Sequence, residues 1–217
     1  MTMIARRSVL AGALLGSAAM FATGLVLSDS VAAGLQPGAP APDFTAIDSN
    51  GRTVSLAGLK GKTVVLEWTN HECPFVRKHY SSDNMQALQK KWTGQGVVWL
   101  SVISSAPGEQ GSVTPAQANQ LTAERGAAPS AVLMDPKGQI GRAYGAQVTP
   151  HMYIIRPDGQ LAYMGGIDDK PSARTADIAT AKNFVDAALT ELAAGKAVSA
   201  TSARPYGCTV KYADPTG

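Results

Sequence analysis

Cys73 is the residue of this chain best placed to act as a nucleophile. It follows an apolar run, Val64-Val65-Leu66-Glu67-Trp68, through the link Thr69-Asn70-His71-Glu72, and Pro74 comes directly after it. The run reads as a strand buried on both faces, and the proline suits the first turn of a helix. A thiol at such a junction meets unpaired backbone N–H groups and the positive end of the helix dipole, which favour the anion. The thiolate is the reactive form of cysteine. Arg77 and Lys78 add positive potential and Glu72 opposes it, so the thiol pKa is expected below its ordinary value of ~8.5. The Cys-x-x-Cys spacing of a dithiol site is absent, because Val76 stands in the second cysteine's place.

The chain has two cysteines, and the other is Cys208, in Tyr206-Gly207-Cys208-Thr209-Val210 near the C-terminus. It is the natural resolving thiol: a nucleophile that becomes a sulfenate or mixed disulfide needs a second thiol to release its product. Gly207 gives the backbone freedom to present it. The plainer alternative is a permanent disulfide, and a second alternative leaves the two thiols apart. The three histidines, His71, His79 and His151, lie near these sites. His71 and His151 are candidates to stabilise a thiolate or shuttle a proton, and with the two cysteines they offer an N/S metal set. No cofactor or metal is expected. Met85, Leu88 and Trp92 read as core, and Asp168-Asp169 as a solvated turn.

The elements that must position these residues alternate between strand and helix. Phe44–Asp48 and Thr53–Leu56 form a hairpin around Asn50-Gly51. Thr63–Trp68 is the first central strand, a short helix runs from Pro74 to Tyr80, and Ser81-Ser82-Asp83 breaks it with a new N-cap. A second helical piece ends at Gly94 and Gly96. Val97–Ile103 is a strand, Thr114-Pro115 opens a helix to about Arg125, and Ala131–Met134 is a strand. A short helix to Tyr144 precedes a hairpin of Met152–Ile155 and Leu161–Met164. One long final helix is expected with Ile178, Ala181, Val185, Ala188, Leu189 and Leu192 on one face. The tail from Ala197 has no helical period.

At the N-terminus, Arg6-Arg7-Ser8-Val9-Leu10, an uncharged run from Val9 to Leu27, and Val31-Ala32-Ala33 read as a twin-arginine export signal with a cleavage site. The alternative is an uncleaved anchor. Export to the periplasm, with no stable membrane anchor after cleavage, is the expectation. The organisation is then a signal over 1–33, one domain over 34–196, and a tail over 197–217. The net charge of +3 comes from 19 basic and 16 acidic residues, without a basic stripe, which speaks against nucleic acid.

Taken together, residues 35–195 resemble the redoxin branch of the alkyl hydroperoxide reductase/thiol-specific antioxidant family. Pro40-Ala41-Pro42-Asp43-Phe44 looks like that family's entry segment. Gly58-Leu59-Lys60-Gly61-Lys62-Thr63-Val64-Val65-Leu66 resembles its lead into the active-site strand, and Asp158-Gly159 with Gly165-Gly166-Ile167-Asp168 its closing hairpin. Thr149-Pro150 resembles the Thr–cis-Pro that faces the active cysteine. The resemblance implies an α/β, thioredoxin-like fold with an N-terminal β-hairpin extension, a mid-chain insertion and an irregular C-terminal tail. It implies a thiol-dependent oxidoreductase with Cys73 and Cys208 catalytic, supported by His71, Glu72, Pro74, Arg77, Thr149, Pro150 and His151. The substrate is a small peroxide or a protein or small-molecule disulfide, the partner is a thiol reductant, and the expectation leans to antioxidant, peroxidase-like chemistry. Two departures bear on it: there is no Cys-x-x-Cys, and Leu66 and Asn70 occupy the Pro and Thr places of the Pro-x-x-x-Thr-x-x-Cys of true peroxiredoxins. A thioredoxin-scaffold protein that binds copper or a client without turnover is the competing class.

Overall fold

The computed structural model describes residues 34–214. The export signal expected over 1–33 lies outside the described residues. A seven-stranded sheet forms the frame, in the order β2-β1-β5-β4-β3-β7-β8. Its members are β1 Thr45–Asp48, β2 Thr53–Ser55, β3 Val64–Trp68, β4 Val98–Ile103, β5 Ala131–Met134, β7 His151–Ile155 and β8 Leu161–Gly165. Strands β3, β4 and β5 are parallel neighbours, and β7 pairs antiparallel with β3 so that Trp68 faces His151. A separate two-stranded ribbon joins β6 Val148–Thr149 to β9 Cys208–Thr209.

The central strand β3 is buried at every position, as its apolar run requires. One face of the sheet packs Val65, Trp99, Met152 and Ile154 under α1 (Pro74–Ser81), α2 (Asn84–Thr93) and α5 (Phe184–Ala193). The other face packs Leu66, Trp68, Leu100 and Tyr153 against Tyr144 of α4 (Gln139–Tyr144). There, Trp68, Tyr144 and Tyr153 form a triangle of ring contacts at 5.1–5.5 Å. Each such buried side chain contributes on the order of 2 kcal/mol by leaving water. The inserted helix α3 (Pro115–Glu124) opens with a full capping box between Thr114 and Gln117. Among the described residues, no helix is long and apolar enough to cross a membrane.

Three local readings are corrected. The long final helix is two pieces: a 3-10 turn at Thr175–Thr180, then α5, whose N-cap is Asn183. Ile178 and Ala181 therefore lie outside α5. The break is made by Asn183, whose side chain accepts from Asp186 N at 2.8 Å, and by Phe184 N bonding to Ile167 O at 2.9 Å. Asp83 does precede α2, but with left-handed backbone (φ 56°) and no side-chain cap bond. Asp168 is not a solvated turn residue. It is 3% exposed, because it accepts from groups brought by α1 and by the tail.

Candidate active site

The link between β3 and α1 is tied down on both sides. Asn70 Oδ1 accepts from Glu72 N at 2.9 Å, and Asn70 O accepts from Cys73 N at 3.1 Å. Asn70 Nδ2 donates to Gln110 O at 3.3 Å, and Glu72 Oε2 accepts from Gly111 N at 2.7 Å. Gly111 has φ +84°, and a Cβ there would run into the Asn70 side chain. The loop between β4 and α3 thus holds the approach to Cys73. Arg77 Nη2 donates to Glu72 O at 2.7 Å, and Arg125 Nη2 to His71 O at 3.2 Å.

Cys73 is the N-cap of α1, with Pro74 in the first turn. It is fully buried, and its thiol donates to Thr149 O at 3.1 Å. The Thr149–Pro150 bond is cis, as the resemblance implies. Burial pushes the Cys73 thiol up. Hydrogen bonds from the Cys208 thiol and from the N–H groups of Val76 and Cys208 outweigh it, so the pKa lies below the ordinary value. Cys208 is driven the other way. Burial, its hydrogen bond to Cys73 and the Cys73 charge push its thiol up to about 11. Of the two thiols, Cys73 is therefore the one biased to lose its proton first, giving up its bond to Thr149 O as it does so.

The tail brings Cys208 to this place. In the ribbon, Thr149 pairs with Cys208 and Val148 with Thr209, and Val210 N continues the pairing to Gln147 O at 2.9 Å. Gly207 has φ +143°, and a Cβ there would run into the Thr149 carbonyl. Only glycine lets the tail lie this close to the cis-proline loop. Both thiols are free.

The other predicted residues are distributed around this centre. His71 lines a small pocket with Thr69, Asn70 and Arg125. Burial holds its pKa below the usual imidazole value, helped by Arg125 and Arg77. His151 is buried, and its Nδ1 is 3.3 Å from Gln147 N and 3.2 Å from the Tyr153 hydroxyl. Burial lowers its pKa to about 4, so it is a neutral ring beside the cis-proline. Among the described residues, no group of three or more His, Cys, Asp or Glu is arranged to hold a metal ion.

Two buried clusters were not among the sequence candidates. Glu67, the penultimate residue of β3, accepts from Tyr80 OH at 2.7 Å, Trp99 Nε1 at 2.8 Å, Gln89 Nε2 at 3.1 Å and Ser101 Oγ at 3.3 Å. Burial raises its pKa despite these bonds. A carboxylate inside an otherwise apolar strand was the signal for it. The second cluster joins Lys78, His79 and Asp168 to Tyr206. Its parts are separated by up to 128 positions, and the sequence carries no pattern that links them.

Comparison with known proteins gives the chain's family. Residues 37–164 match the AhpC/TSA family. The thiol-disulfide oxidoreductase ResA of Bacillus subtilis (strain 168) is 28% identical over 143 residues, which is 64% of this chain and 74% of that protein. A conserved protein from Geobacillus kaustophilus superposes with a TM-score of 0.70 at 24% identity, covering 84% of this chain and 95% of its own. A hypothetical protein from Sinorhizobium meliloti 1021 gives 0.67 at 24% identity, covering 83% and 96%. The architecture is thioredoxin-like, and with a family match that spans the entry segment, the Cys73 strand–helix junction and the cis-proline loop, this chain belongs to the AhpC/TSA family.

Proposed function

We propose that this protein is a thiol–disulfide oxidoreductase in which Cys73 is the nucleophile and Cys208 the resolving thiol. The observation that carries the reading is the pairing of Thr149 with Cys208, which sets a proton-bearing thiol beside a thiol biased to the anion. Its membership of the AhpC/TSA family and its likeness to a thiol-disulfide oxidoreductase support the enzyme class.

The chemistry runs in two exchanges. The Cys73 thiolate attacks one sulfur of a substrate disulfide, forming a mixed disulfide and expelling the other sulfur as a thiolate. Cys208 then loses its proton and attacks Cys73 Sγ, which closes a Cys73–Cys208 disulfide and releases the second substrate sulfur, the leaving thiolate taking up the proton. The substrate is reduced by two electrons, and an external thiol reductant restores the pair.

The sequence alone leans to a peroxide substrate, but the local chemistry favours a disulfide. Asn70 stands where peroxiredoxins keep a threonine, and its side chain is engaged by Glu72 N and Gln110 O. No hydroxyl is offered there to a bound peroxide. Residues 1–33 support export, and an oxidising compartment suits a protein whose substrate is a disulfide.

The test is a pair of variants assayed against glutathione disulfide and hydrogen peroxide. Cys73→Ser is expected to reduce disulfide exchange to background. Cys208→Ser is expected to take up one glutathione at Cys73 and stop there, read by intact mass. Peroxide turnover that depends on Cys73, with no disulfide exchange in the wild type, would overturn the reading.

A further inference from the structure

The tail is clamped immediately before Gly207. The Tyr206 hydroxyl donates to Asp168 Oδ1 at 2.5 Å and accepts from Lys78 Nζ at 3.3 Å, with His79 Nε2 at 3.2 Å. Lys78 Nζ also lies 3.4 Å from Asp168 Oδ2 and donates to Lys170 O at 2.8 Å. Asp168 Oδ1 takes a further bond from Lys170 N at 2.9 Å. Lys78, His79 and Asp168 are each no more than 3% exposed. The Tyr206 ring meets Phe75 edge-on at 5.8 Å. Phe75 is two positions after Cys73, and Tyr206 two positions before Cys208. One aromatic contact therefore joins the two segments that carry the thiols.

A buried ammonium–carboxylate pair is a poor source of stability, because desolvation offsets most of its attraction. What this pair offers is direction. It joins α1, the segment after β8 and the tail, and the tail's share in it is one hydroxyl, that of Tyr206, bonded to both charged groups. The ribbon of β6 and β9 spans only two residues on each side, too short to fix the tail unaided. On the far side of Cys208, Tyr212 is pinned by its own bond to Ala146 O at 2.7 Å, so Cys208 is held between two tyrosines.

The geometry points to Tyr206, held by Asp168 and Lys78, as the positioning residue for the resolving step: it sets the effective concentration of Cys208 at Cys73. The proposal rests on the reading of Cys208 as the resolving thiol. It assigns Tyr206 to the second exchange and not to the first, in which Cys73 attacks the substrate. Tyr206→Phe removes the hydroxyl and keeps the ring on Phe75. Tyr206→Ala removes both.

Both variants are compared with the full chain by equilibrating the Cys73–Cys208 couple against glutathione and by timing loss of glutathione from the Cys73 mixed disulfide. Tyr206→Phe is expected to lower the equilibrium constant for the internal disulfide about tenfold, a potential about 30 mV less negative, and to slow resolution by the same factor. Tyr206→Ala is expected to do more. In a Cys208→Ser background, Tyr206→Phe is expected to leave the attack rate of Cys73 on glutathione disulfide unchanged. If the wild type forms the internal disulfide and Tyr206→Phe shifts neither potential nor resolution, the positioning role is overturned and the function stands. If Tyr206→Phe slows both exchanges equally, the residue is merely structural and the proposal fails. A wild type that never forms the internal disulfide overturns the function and the positioning role together.

Discussion

At the scale of the residue, the site depends on how burial divides protons among a few groups. Cys73 and Cys208 are pushed in opposite directions by a shared hydrogen bond. His79 and His151 are each held neutral, with pKa values lowered to about 4 by burial. An unfolded histidine binds its proton near 6.5, so between about 6.5 and about 4 the unfolded chain holds protons that the native chain lacks. Stability therefore falls as pH falls through that window, by up to about 1.4 kcal/mol per pH unit for each histidine. Urea unfolding as a function of pH is expected to show His151→Gln with an acid limb shallower by about one proton than the wild type. Equal slopes would mean that His151 is not buried neutral. The place of Cys73 at a strand–helix junction was legible from sequence, because an apolar run followed by Cys-Pro is local information. Glu67 was legible in principle, as a carboxylate inside an apolar run. Asp168 was misread as solvated, because its burial comes from Lys78 and Tyr206, which only the folded chain brings near it.

At the scale of the element, periodicity and capping did most of the work and failed where tertiary contacts cut a helix short. Thr114-Pro115 announces α3, and the structure adds a full capping box between Thr114 and Gln117. The final helix has an apolar face that extends back to Ile178 by pattern alone, yet Asn183 restarts the chain after a 3-10 turn. The ribbon of β6 and β9 is below what any periodicity can reveal, since each strand has two residues. Its formation turns on Gly207. Gly207→Ala would bring a methyl against the Thr149 carbonyl at a backbone angle that alanine resists. Cys208 would then be displaced by ångströms, and misplacement of that size costs on the order of 100-fold in rate. Rapid-quench measurement of mixed-disulfide decay is expected to show that loss in Gly207→Ala, while the initial attack by Cys73 proceeds. Unimpaired decay would show that the tail reaches Cys73 without the ribbon.

At the scale of the whole molecule, the tail is part of the packed domain and not an appendage. Val198, Ala203, Tyr206 and Cys208 pack against the core beneath α1 and α5, and Val210 against the core on the opposite face of the sheet. Residues 34–214 form one compact unit, so the segment after Ala197 belongs with the domain that precedes it. Deleting residues 197–217 is expected to lower the urea midpoint by the equivalent of about 3–5 kcal/mol, the worth of a few apolar side chains returned to water. An unchanged midpoint would mean that the tail contributes no core. The order of strands and helices along the chain was legible from their alternation, but the return of the tail was not. Cys73 and Cys208 meet across 135 positions, and no local pattern encodes a closure of that length.

The register of the ribbon has one more consequence. Side chains alternate along a strand, so a shift of one position turns each to the opposite side. Thr149 stands opposite Cys208, and one residue added between Tyr206 and Cys208 would set a neighbour in that place and aim the sulfur away from Cys73. Such a chain would keep both cysteines, the cis-proline and every family motif, and would be silent as a dithiol. The dithiol we propose is thus a matter of counting as much as of composition: the distance in residues from the Tyr206 ring to a sulfur.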